Sequence, residues 1–458
     1  MLSSFSRRIS MSIDSSTNGI FIDPSKCIGC SQCVKACTNV AGQSILKLYN
    51  VNGKKVVGTV SGKLLQDTHC IKCGQCTLVC PTAAIREKDS IEEMESIFKN
   101  PQGRVTICQT APAIRISLSD ALGLPFGTIS TGKMVTAMKR LGFQYVFDTN
   151  YGADQTIVEE AAEFVNRLTK GTGPLPMLTS CCPAWVNYVE QSAPEFIPNL
   201  STCRSPAGML SSAIINDFVK NKGLPRKSVV NVAIMPCTAK KDEIRRPQLN
   251  GETDIVLTTR EIMKMIKKHK IDFKNLPDTP FDDPYSECTG AGAIFCASGG
   301  VMEAAIRSAY KYATKTEMPD VHVKSVRGFE NGIKISPVNI NGEEVGVAVA
   351  QGILNAMKLL EKVKSKSPDV ANVKFIEVMA CPGGCICGGG STRAKTKKQI
   401  GSRVEAVYKI DESLTGKCSH QNRQIKELYQ RMNLGEPGSH EAHKYLHTHF
   451  TDRSMNVV

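Results

Sequence analysis

The chain has 458 residues, enough for two or three domains and a substantial buried core. Hydrophobic residues make up 41% of it, and no apolar run approaches the roughly 18 to 20 residues that a membrane span needs, so we predict no membrane segment. The formal net charge of +14 suits either nucleic acid or an acidic protein partner. Because the sequence has no nucleic-acid motif and only one Trp, the acidic protein partner is favoured.

The chain begins with MLSSFSRRISMS, which contains Ser and two Arg but no acidic residue before Asp14. This composition is typical of an organellar transit peptide of the mitochondrial type, and a disordered start is the alternative. We therefore separate residues 1–18 from the first domain, whose first strand is predicted at GIFID.

The 19 cysteines form an odd count that argues against a simple disulfide framework. Grouped CxxC motifs in a chain of this length indicate metal ligands in a reducing compartment. Eight of the cysteines form two runs with the spacing C-x2-C-x2-C-x3-C, namely Cys27, Cys30, Cys33, Cys37 and Cys70, Cys73, Cys76, Cys80.

This spacing is that of two-cluster bacterial ferredoxins, in which the fourth cysteine of each run binds the other cluster. It implies two accessory [4Fe–4S] clusters with the ligand sets Cys27, Cys30, Cys33, Cys80 and Cys37, Cys70, Cys73, Cys76. Two zinc sites are the alternative, but zinc would leave the other cysteines without a partner role. Between the two runs, Asn52–Gly53 predicts a hairpin turn.

From about Gly103, apolar strand patterns alternate with amphipathic helices, which indicates an α/β sheet. Four short apolar segments lead into polar, Pro- or Gly-containing turns, and each carries cysteine: GRVTICQTAPAIR, LPMLTSCCPAW, NVAIMPCTAKKDE and FIEVMACPGGC. We interpret each as a short buried strand. Because ligands of open α/β sheets bind beyond the carboxyl ends of the strands, the four segments predict one buried cofactor held by thiolates.

Two of these cysteines, Cys181 and Cys182, are adjacent where a predicted strand meets a helix that begins at Pro183. We expect the helix N-terminus to stabilise thiolates at this point. Successive side chains diverge, so one cysteine is expected to ligate a cluster and the other to do something else.

The segments TSCCPAW, MPCTAKKDE and EVMACPGGC resemble the three signature sequences of the iron-only, or [FeFe], hydrogenases. The resemblance extends from about Phe21 to the C-terminal HEAHKYLHTHF. It implies an α/β catalytic body, with two lobes of mostly parallel sheet flanked by helices, after an N-terminal α+β two-cluster ferredoxin-like domain. The predicted domains are residues 19–98 (iron–sulfur), 99–395 (catalytic) and 396–458, a segment that resembles a small subunit and wraps the body.

The resemblance also implies an H-cluster, in which a [4Fe–4S] cubane is joined to a two-iron subsite with CO, cyanide and dithiolate ligands. The implied cubane ligands are Cys182, Cys237, Cys381 and Cys385, with Cys385 as the bridge to the two irons. Around them, Gly383 and Gly384 allow the backbone to close on a bulky cofactor.

Other residues are expected to contact this cofactor. Lys240 resembles the family lysine that hydrogen-bonds an iron-bound cyanide, and Glu243 could pair with it. The expected cofactor contacts are Pro112, Ala113, Met235 and Met379.

Cys181, not used as a ligand, is implied to be the proton donor and acceptor beside the open iron. In the family, protons pass onward through acidic residues matching Glu163 and Glu160, with a hydroxyl matching Ser205. Both Glu lie at i, i+3 on the predicted helix TIVEEAAEFVNRL, although two Glu on a helix taken alone are more often solvated.

For the same helix we expect Asp154 as the N-cap and Arg167 as a partner of Glu163.

Four features depart from the family pattern without removing a ligand: the segments Ser205–Met209 and Gly388–Thr392, and the extra thiols of Cys296 and Cys387 near the expected site. The tail carries His440, His443, His447 and His449, which could bind zinc, but packing on the body is favoured.

The resulting prediction is a monomeric ferredoxin-type hydrogenase that interconverts two protons and two electrons with H2, in the cell releasing H2 from reduced ferredoxin. Its implied partners are ferredoxin and the maturation proteins that insert the two-iron subsite, and its location is a hydrogenosome or mitochondrion-related organelle, with the cytoplasm as the alternative. One rival is a hydrogenase-like iron–sulfur assembly protein without H2 activity, whose relatives lack the doubled cysteine at Cys181. A sensory hydrogenase of low turnover is a second.

Overall fold

The computed structural model describes residues 12–330, 332–340 and 342–456. Most of the expected transit peptide, residues 1–11, lies outside the described residues. From Asp14 onward the chain already packs on the first domain, because Asp14 pairs with Ile22 and its carboxylate accepts the Leu65 N–H at 2.7 Å.

The strands of the described residues are β1 (Ile20–Ile22), β2 (Leu46–Val51), β3 (Lys54–Thr59), β4 (Ile85–Glu87), β5 (Val105–Thr110), β6 (Tyr145–Asp148), β7 (Met177–Leu178), β8 (Val229–Met235), β9 (Ile255–Thr258), β10 (Ile333–Ile340), β11 (Glu343–Gln351) and β12 (Val373–Met379).

The α-helices of the same part of the chain are α1 (Gln32–Asn39), α2 (Ile91–Lys99), α3 (Ile114–Ala121), α4 (Thr131–Leu141), α5 (Thr149–Lys170), α6 (Pro183–Ser192), α7 (Pro206–Ala213), α8 (Lys240–Glu243), α9 (Thr259–Lys268), α10 (Gly290–Ile294), α11 (Gly300–Thr314), α12 (Ile353–Lys364), α13 (Lys397–Ser413), α14 (Arg423–Arg431) and α15 (His440–Leu446). A π-helical turn, Ile214–Val219, continues α7.

The N-terminal domain contains two antiparallel strand pairs, β1 with β4 and β2 with β3. The predicted hairpin turn is confirmed: Val51 pairs with Lys54, and the two residues between them, Asn52 and Gly53, have φ values of 50° and 78°. Positive φ at both central positions is what a type I′ turn requires, and Asn-Gly is its preferred sequence.

Two four-stranded sheets form the catalytic body, as predicted for a mostly parallel α/β fold. The first has the order β6-β5-β8-β9 and is parallel throughout. The second has the order β10-β11-β12-β7, with only β10 antiparallel to its neighbour. All seven residues of β8 are buried, the continuous pattern expected of a strand that is covered on both faces.

All four predicted cysteine-bearing segments form strands, divided equally between the two sheets. Strands β5 and β8 belong to the first sheet, and β7 and β12 to the second. The carboxyl ends of the four therefore bring their following loops to a crevice between the lobes.

Helix α5 runs from the end of β6 in the first sheet to the start of β7 in the second. The expectation that Asp154 caps this helix is wrong. Asp148, the last residue of β6, is the N-cap and accepts the Asn150 N–H at 2.9 Å. Asp154 lies inside the helix, where its buried carboxylate accepts hydrogen bonds from Thr289 and Ser419.

The C-terminal segment packs on the body, as expected. Buried ion pairs join α13 to it, with Arg403 donating to Asp120 at 2.6 Å and Arg307 to Asp411 at 2.9 Å. In α15 the side chain of Leu446 is fully buried. None of the helices in the described ranges has the length and apolar character needed to cross a membrane.

Candidate metal centre and proton path

The eight N-terminal cysteines approach one another in the two sets that the spacing implies. Burial raises the pKa of Cys33 to about 12, and the neighbouring thiols that add to the shift are Cys80, Cys27 and Cys30. Burial likewise raises the pKa of Cys76, with Cys70 and Cys37 as the nearest contributing thiols of the other set. The fourth cysteine of each run thus lies with the other run.

The second set also reaches the catalytic body. The Cys381 thiol is among the groups that raise the pKa of Cys73, after burial and Cys76. The backbones meet closely here, because a Cβ added to Gly389 would lie 2.0 Å from the Cys73 carbonyl oxygen. The cysteines of the second accessory set therefore lie close to the thiols of the catalytic body.

A cavity of about 70 Å³ lies where the carboxyl ends of β7, β8 and β12 converge. Its wall includes the four thiols implied as cubane ligands, Cys182, Cys237, Cys381 and Cys385. Cys237 and Cys381 each follow the last residue of a strand by two positions, and Cys182 is the N-cap of α6, whose first residue is Pro183 as predicted.

These thiols carry raised pKa values, although the N–H groups at the start of α6 favour the thiolate of Cys182, as expected of a helix N-terminus. Burial raises the pKa of Cys182 more than the N–H groups at the start of α6 lower it. Burial, followed by the nearby Cys182, raises the pKa of Cys237 to about 12. Iron bound by these sulfurs would supply the positive charge that favours their thiolate form.

The surroundings fit a bulky iron–sulfur cofactor. Met235 and Met379 line the cavity with soft sulfur atoms, and Pro112 and Phe295 complete its apolar wall. Among the extra thiols, that of Cys296 also lines the cavity. Ala113 is fully buried immediately before α3 and next to Pro112, but it is not part of the cavity wall.

The loop after β12 depends on glycine. Gly383 and Gly384 have φ values of 83° and 98°, and a Cβ on Gly384 would lie 2.6 Å from the Cys296 carbonyl oxygen. The close approach and the backbone conformation together exclude other residues here without local rearrangement.

One buried cation faces the cavity. Lys240 donates to Glu243 at 2.7 Å, as predicted, and contacts the Cys181 carbonyl oxygen at 3.4 Å. Burial opposes its charge, but Glu243 raises the pKa of Lys240. A lysine held charged beside four thiol ligands suits an anionic cluster.

Cys181 lines the same cavity, and burial raises the pKa of its thiol, with Glu160 as the next cause. Both carboxylate oxygens of Glu160 are buried and have no hydrogen-bond partner among the described residues. Burial, then the charge of Glu163, raises the pKa of Glu160 to about 8. A buried carboxyl of this kind can hold a proton near neutral pH.

Glu163 lies one turn further along α5 in a polar setting. Arg167 donates to it at 2.5 Å, as predicted, and the Ser201 hydroxyl donates at 2.9 Å. The Thr202 N–H also donates to it, at 3.0 Å.

The hydroxyl assigned to this group from the sequence, Ser205, makes other contacts. Ser205 caps α7 and donates to Glu243 at 3.2 Å, on the lysine side of the site. The hydroxyls that the structure places with Glu163 are Ser201, at 2.9 Å, and Thr202, at 3.3 Å, and Ser201 is the closer of the two. Its position arises from the Ser201 N–H donating to the Leu178 carbonyl at the end of β7, a tertiary contact with no motif in the sequence.

The comparisons with known proteins agree with this geometry. Family models match as iron only hydrogenase large subunit, C-terminal domain, over residues 104–389, iron hydrogenase small subunit over 397–453, and 4Fe-4S dicluster domain over 26–85. Iron hydrogenase 1 of Clostridium pasteurianum is 42% identical over 446 residues, covering 95% of this chain and 76% of the relative.

The NADP-reducing hydrogenase subunit HndD of Solidesulfovibrio fructosivorans is 41% identical over 446 residues, 95% of this chain and 75% of the relative. A solved structure of apo [FeFe]-hydrogenase HydA1 from Chlamydomonas reinhardtii, in a variant form, matches with a TM-score of 0.70 and 36% identity, covering 81% of this chain and all of the other.

Relatives of lower identity also match, among them the cytosolic Fe-S cluster assembly factor narfl of Danio rerio, which is 29% identical over 373 residues, 77% of this chain and 88% of the relative. Protein NAR1 of Arabidopsis thaliana is 32% identical over 396 residues, 80% of this chain and 81% of the relative. The higher identity, the longer coverage and the matched large- and small-subunit models place the chain with the hydrogenases. The chain therefore belongs to the iron-only, or [FeFe], hydrogenase family, in the short form with a two-cluster N-terminal domain.

Proposed function

We propose that the protein interconverts two protons and two electrons with H2, releasing H2 from reduced ferredoxin in the cell. The observation that carries the proposal is the pairing, in one cavity, of a four-thiol ligand set with a fifth thiol, Cys181, that leads to the buried Glu160. An assembly protein would need the ligands but not the proton route.

The cofactors of this fold are two accessory [4Fe–4S] clusters and an H-cluster, and the H-cluster supplies the site where protons and electrons combine. We assign the accessory ligands to the two N-terminal cysteine sets, and the H-cluster ligands to Cys182, Cys237, Cys381 and Cys385. The close approach of Cys73 to Cys381 supports electron transfer between the second accessory set and the body.

The proton route proposed inside the protein begins at the Cys181 sulfur. Its thiol, kept protonated by burial, donates a proton toward the cavity and recovers one from Glu160. Glu160 is refilled from Glu163, with the Ser201 hydroxyl, which already donates to Glu163, between them. Each of these groups is buried or nearly so, which excludes bulk water from the path.

Ferredoxin is proposed to bind where the first accessory set reaches the surface. Cys30 and Ile28 are exposed there. Lys54 lies beside them and donates to the Ser25 carbonyl at 3.0 Å, and Gly29 packs against the side chain of its neighbour Lys55. Lysines around an exposed cluster ligand suit an acidic electron carrier.

The test is infrared spectroscopy and H2 assay of protein produced together with maturation proteins. We expect CO and cyanide absorption bands, about 14 iron atoms per chain on the [4Fe–4S] interpretation of the cysteine sets, and H2 release from a reduced viologen dye. Protein that contains iron but shows neither these bands nor H2 release would favour the assembly function. Stoichiometric zinc with little iron would contradict both.

A further inference from the structure

The C-terminal segment continues the proton route beyond Glu163, and this inference rests on the proposed hydrogenase function. We propose that Thr202, His447, Glu159 and Tyr429 form a proton relay between Glu163 and a surface cavity. These groups form an unbroken series of hydrogen bonds through the protein interior, and the series ends at the surface cavity.

The relay begins with a hydroxyl shared between Glu163 and the tail. The Thr202 hydroxyl is 3.3 Å from Glu163 Oε2 and 2.7 Å from His447 Nδ1. On its other side, His447 Nε2 is 2.9 Å from Glu159 Oε2. A hydroxyl and an imidazole both donate and accept, so this geometry can pass a proton in either direction.

The outer end of the relay reaches solvent. The Tyr429 hydroxyl donates to Glu159 Oε1, and Tyr429 lines a surface cavity of about 590 Å³ together with Lys311, Tyr312 and Lys426. The Gly438 N–H also donates to Glu159, at 2.7 Å, which fixes the carboxylate between tyrosine and histidine.

Glu163 itself has little direct access to water. Its side chain is 10% exposed, and its oxygens accept from Arg167, Ser201 and Thr202. The imidazole of His447 is 4% exposed and Glu159 is fully buried, so the relay crosses the protein interior rather than its surface. Both ring nitrogens of His447 are hydrogen-bonded, one to Thr202 and one to Glu159, so the ring connects the two glutamates in one continuous path.

The transfer balances without any electron. His447 starts neutral, with its proton on Nδ1 and with the Glu159 carboxyl protonated. Nε2 accepts the Glu159 proton while Nδ1 gives its own proton to the Thr202 oxygen, and the Thr202 hydroxyl proton passes to Glu163 Oε2. Glu163 becomes a carboxylic acid, and His447 remains neutral with its proton on Nε2, from which rotation of the ring restores the starting form. Glu159 regains a proton from the Tyr429 hydroxyl as the Tyr429 oxygen takes one from a hydronium ion in the cavity.

The test compares matched variants at Thr202 and Tyr429. Thr202→Val keeps the shape of the side chain and the backbone N–H that donates to Glu163 but removes the hydroxyl, whereas Thr202→Ser keeps the hydroxyl. We expect viologen-linked H2 release to fall about tenfold in Thr202→Val and in Tyr429→Phe, below the 10²- to 10⁴-fold effect typical of a positioned proton donor. The solvent deuterium isotope effect should rise in both, and Thr202→Ser should behave as the parent.

The matched control is His443→Gln. The His443 ring is exposed and stacks on His447 with centroids 3.6 Å apart, but it lies outside the hydrogen-bonded series. Its variant should keep the parental rate and isotope effect. Infrared bands of the H-cluster in every variant establish that each one folds and holds its cofactor.

A second readout does not depend on activity. Nitrogen-15 spectra of histidine in protein without the two-iron subsite report which ring nitrogen carries the proton. We expect one histidine signal to change in Thr202→Val and to return in Thr202→Ser. If the parent is active and Thr202→Val and Tyr429→Phe keep its rate, isotope effect and histidine signals, the relay is wrong. The relay is also wrong if the variants lose rate without a change in the isotope effect, or if Thr202→Ser does not restore the rate. An inactive parent with the expected histidine change contradicts the proposed function instead.

Discussion

At the scale of single residues, Cys181 and Cys182 show how adjacent thiols acquire separate roles. Cys182 caps α6 and lies among the other three implied ligands, which contribute to one another's raised pKa values. For Cys181, the neighbouring group that raises the pKa most is instead Glu160. The difference follows from the turn between β7 and α6, which directs successive side chains apart.

Substitutions should separate the two roles. We expect Cys182→Ala to lose the cubane and, with it, the infrared bands of the H-cluster. Cys181→Ser should keep metal and bands but lose nearly all H2 activity, because a hydroxyl gives up a proton far less readily than a thiol with a pKa of about 8.5. Cys181→Asp should recover part of the activity, since a carboxyl both donates and accepts. Parental turnover in Cys181→Ser would contradict the assigned role.

Glu160 predicts a pH dependence. Its pKa of about 8 lies above the ordinary value of 4.5 because of burial and the charge of Glu163, so the carboxyl is protonated below about pH 8 and ionised above it. H2 release should therefore decline as the pH rises through this value. Infrared difference spectra should show a carboxylic acid absorption that titrates near pH 8 and is absent in Glu160→Gln. If that variant keeps the absorption, another carboxyl is responsible.

The site residues differ in how far sequence could predict them. The implied ligands follow strand ends with specific spacing, so their convergence was predictable from Cys182, Cys237 and Cys381. Ser201 and His447 were not predictable, because each reaches the glutamates through contacts between segments distant in sequence. The family resemblance implies Ser205 instead, but this residue caps α7 and its hydroxyl donates to Glu243.

At the scale of elements, the start of α5 combines a helix cap with a buried ion pair. Asp148 accepts the Asn150 N–H at 2.9 Å and pairs with Arg115 at 2.6 Å, and both charged side chains are almost fully buried. The sequence pattern predicts the cap at Asp154, because the apolar period becomes clear only after that residue. The first turn is instead fixed by tertiary contacts at the end of β6.

Removing this cap should be costly. We expect Asp148→Ala to destabilise the protein by about 3 to 5 kcal/mol, the range for leaving a buried charge without its partner. Asp369→Ala is the control, because it breaks an exposed ion pair with Lys362 and should leave stability nearly unchanged. Denaturant unfolding of the two variants tests this, and equal effects would show that the Arg115 pair contributes nothing special.

At the scale of the whole molecule, the α/β class was predictable because parallel βα units leave a strong periodic pattern, and the two lobes of sheet were implied by the family resemblance. The pairing of β7 with β12 was not predictable, since the two strands are almost 200 residues apart and meet only through their register, Phe375 with Met177. The order β10-β11-β12-β7 thus depends on packing that no local sequence pattern specifies.

The charge of the whole chain predicts salt-dependent electron delivery. With 57 Lys and Arg against 43 Asp and Glu, the protein should attract an acidic ferredoxin, and raising the salt concentration should slow reduction by it. Reduction by a small uncharged dye should change much less. Lys54→Glu and Lys55→Glu should slow reduction by ferredoxin more than the control Lys362→Glu, which changes a lysine distant in sequence. Equal salt dependence for ferredoxin and dye would argue against charge-guided docking.

Cys237 is the one implied cubane ligand that follows a strand of the first sheet, while the other three follow strands of the second. A cubane held by these four thiolates would therefore connect two sheets that share no strand pairing, with a single ligand from the first sheet. The free energy of cluster binding would therefore add to the free energy that holds the two lobes together. Removal of the iron should therefore weaken the contact between the lobes before either sheet unfolds. The rate of backbone amide hydrogen exchange should then rise first at the facing ends of β8 and β12.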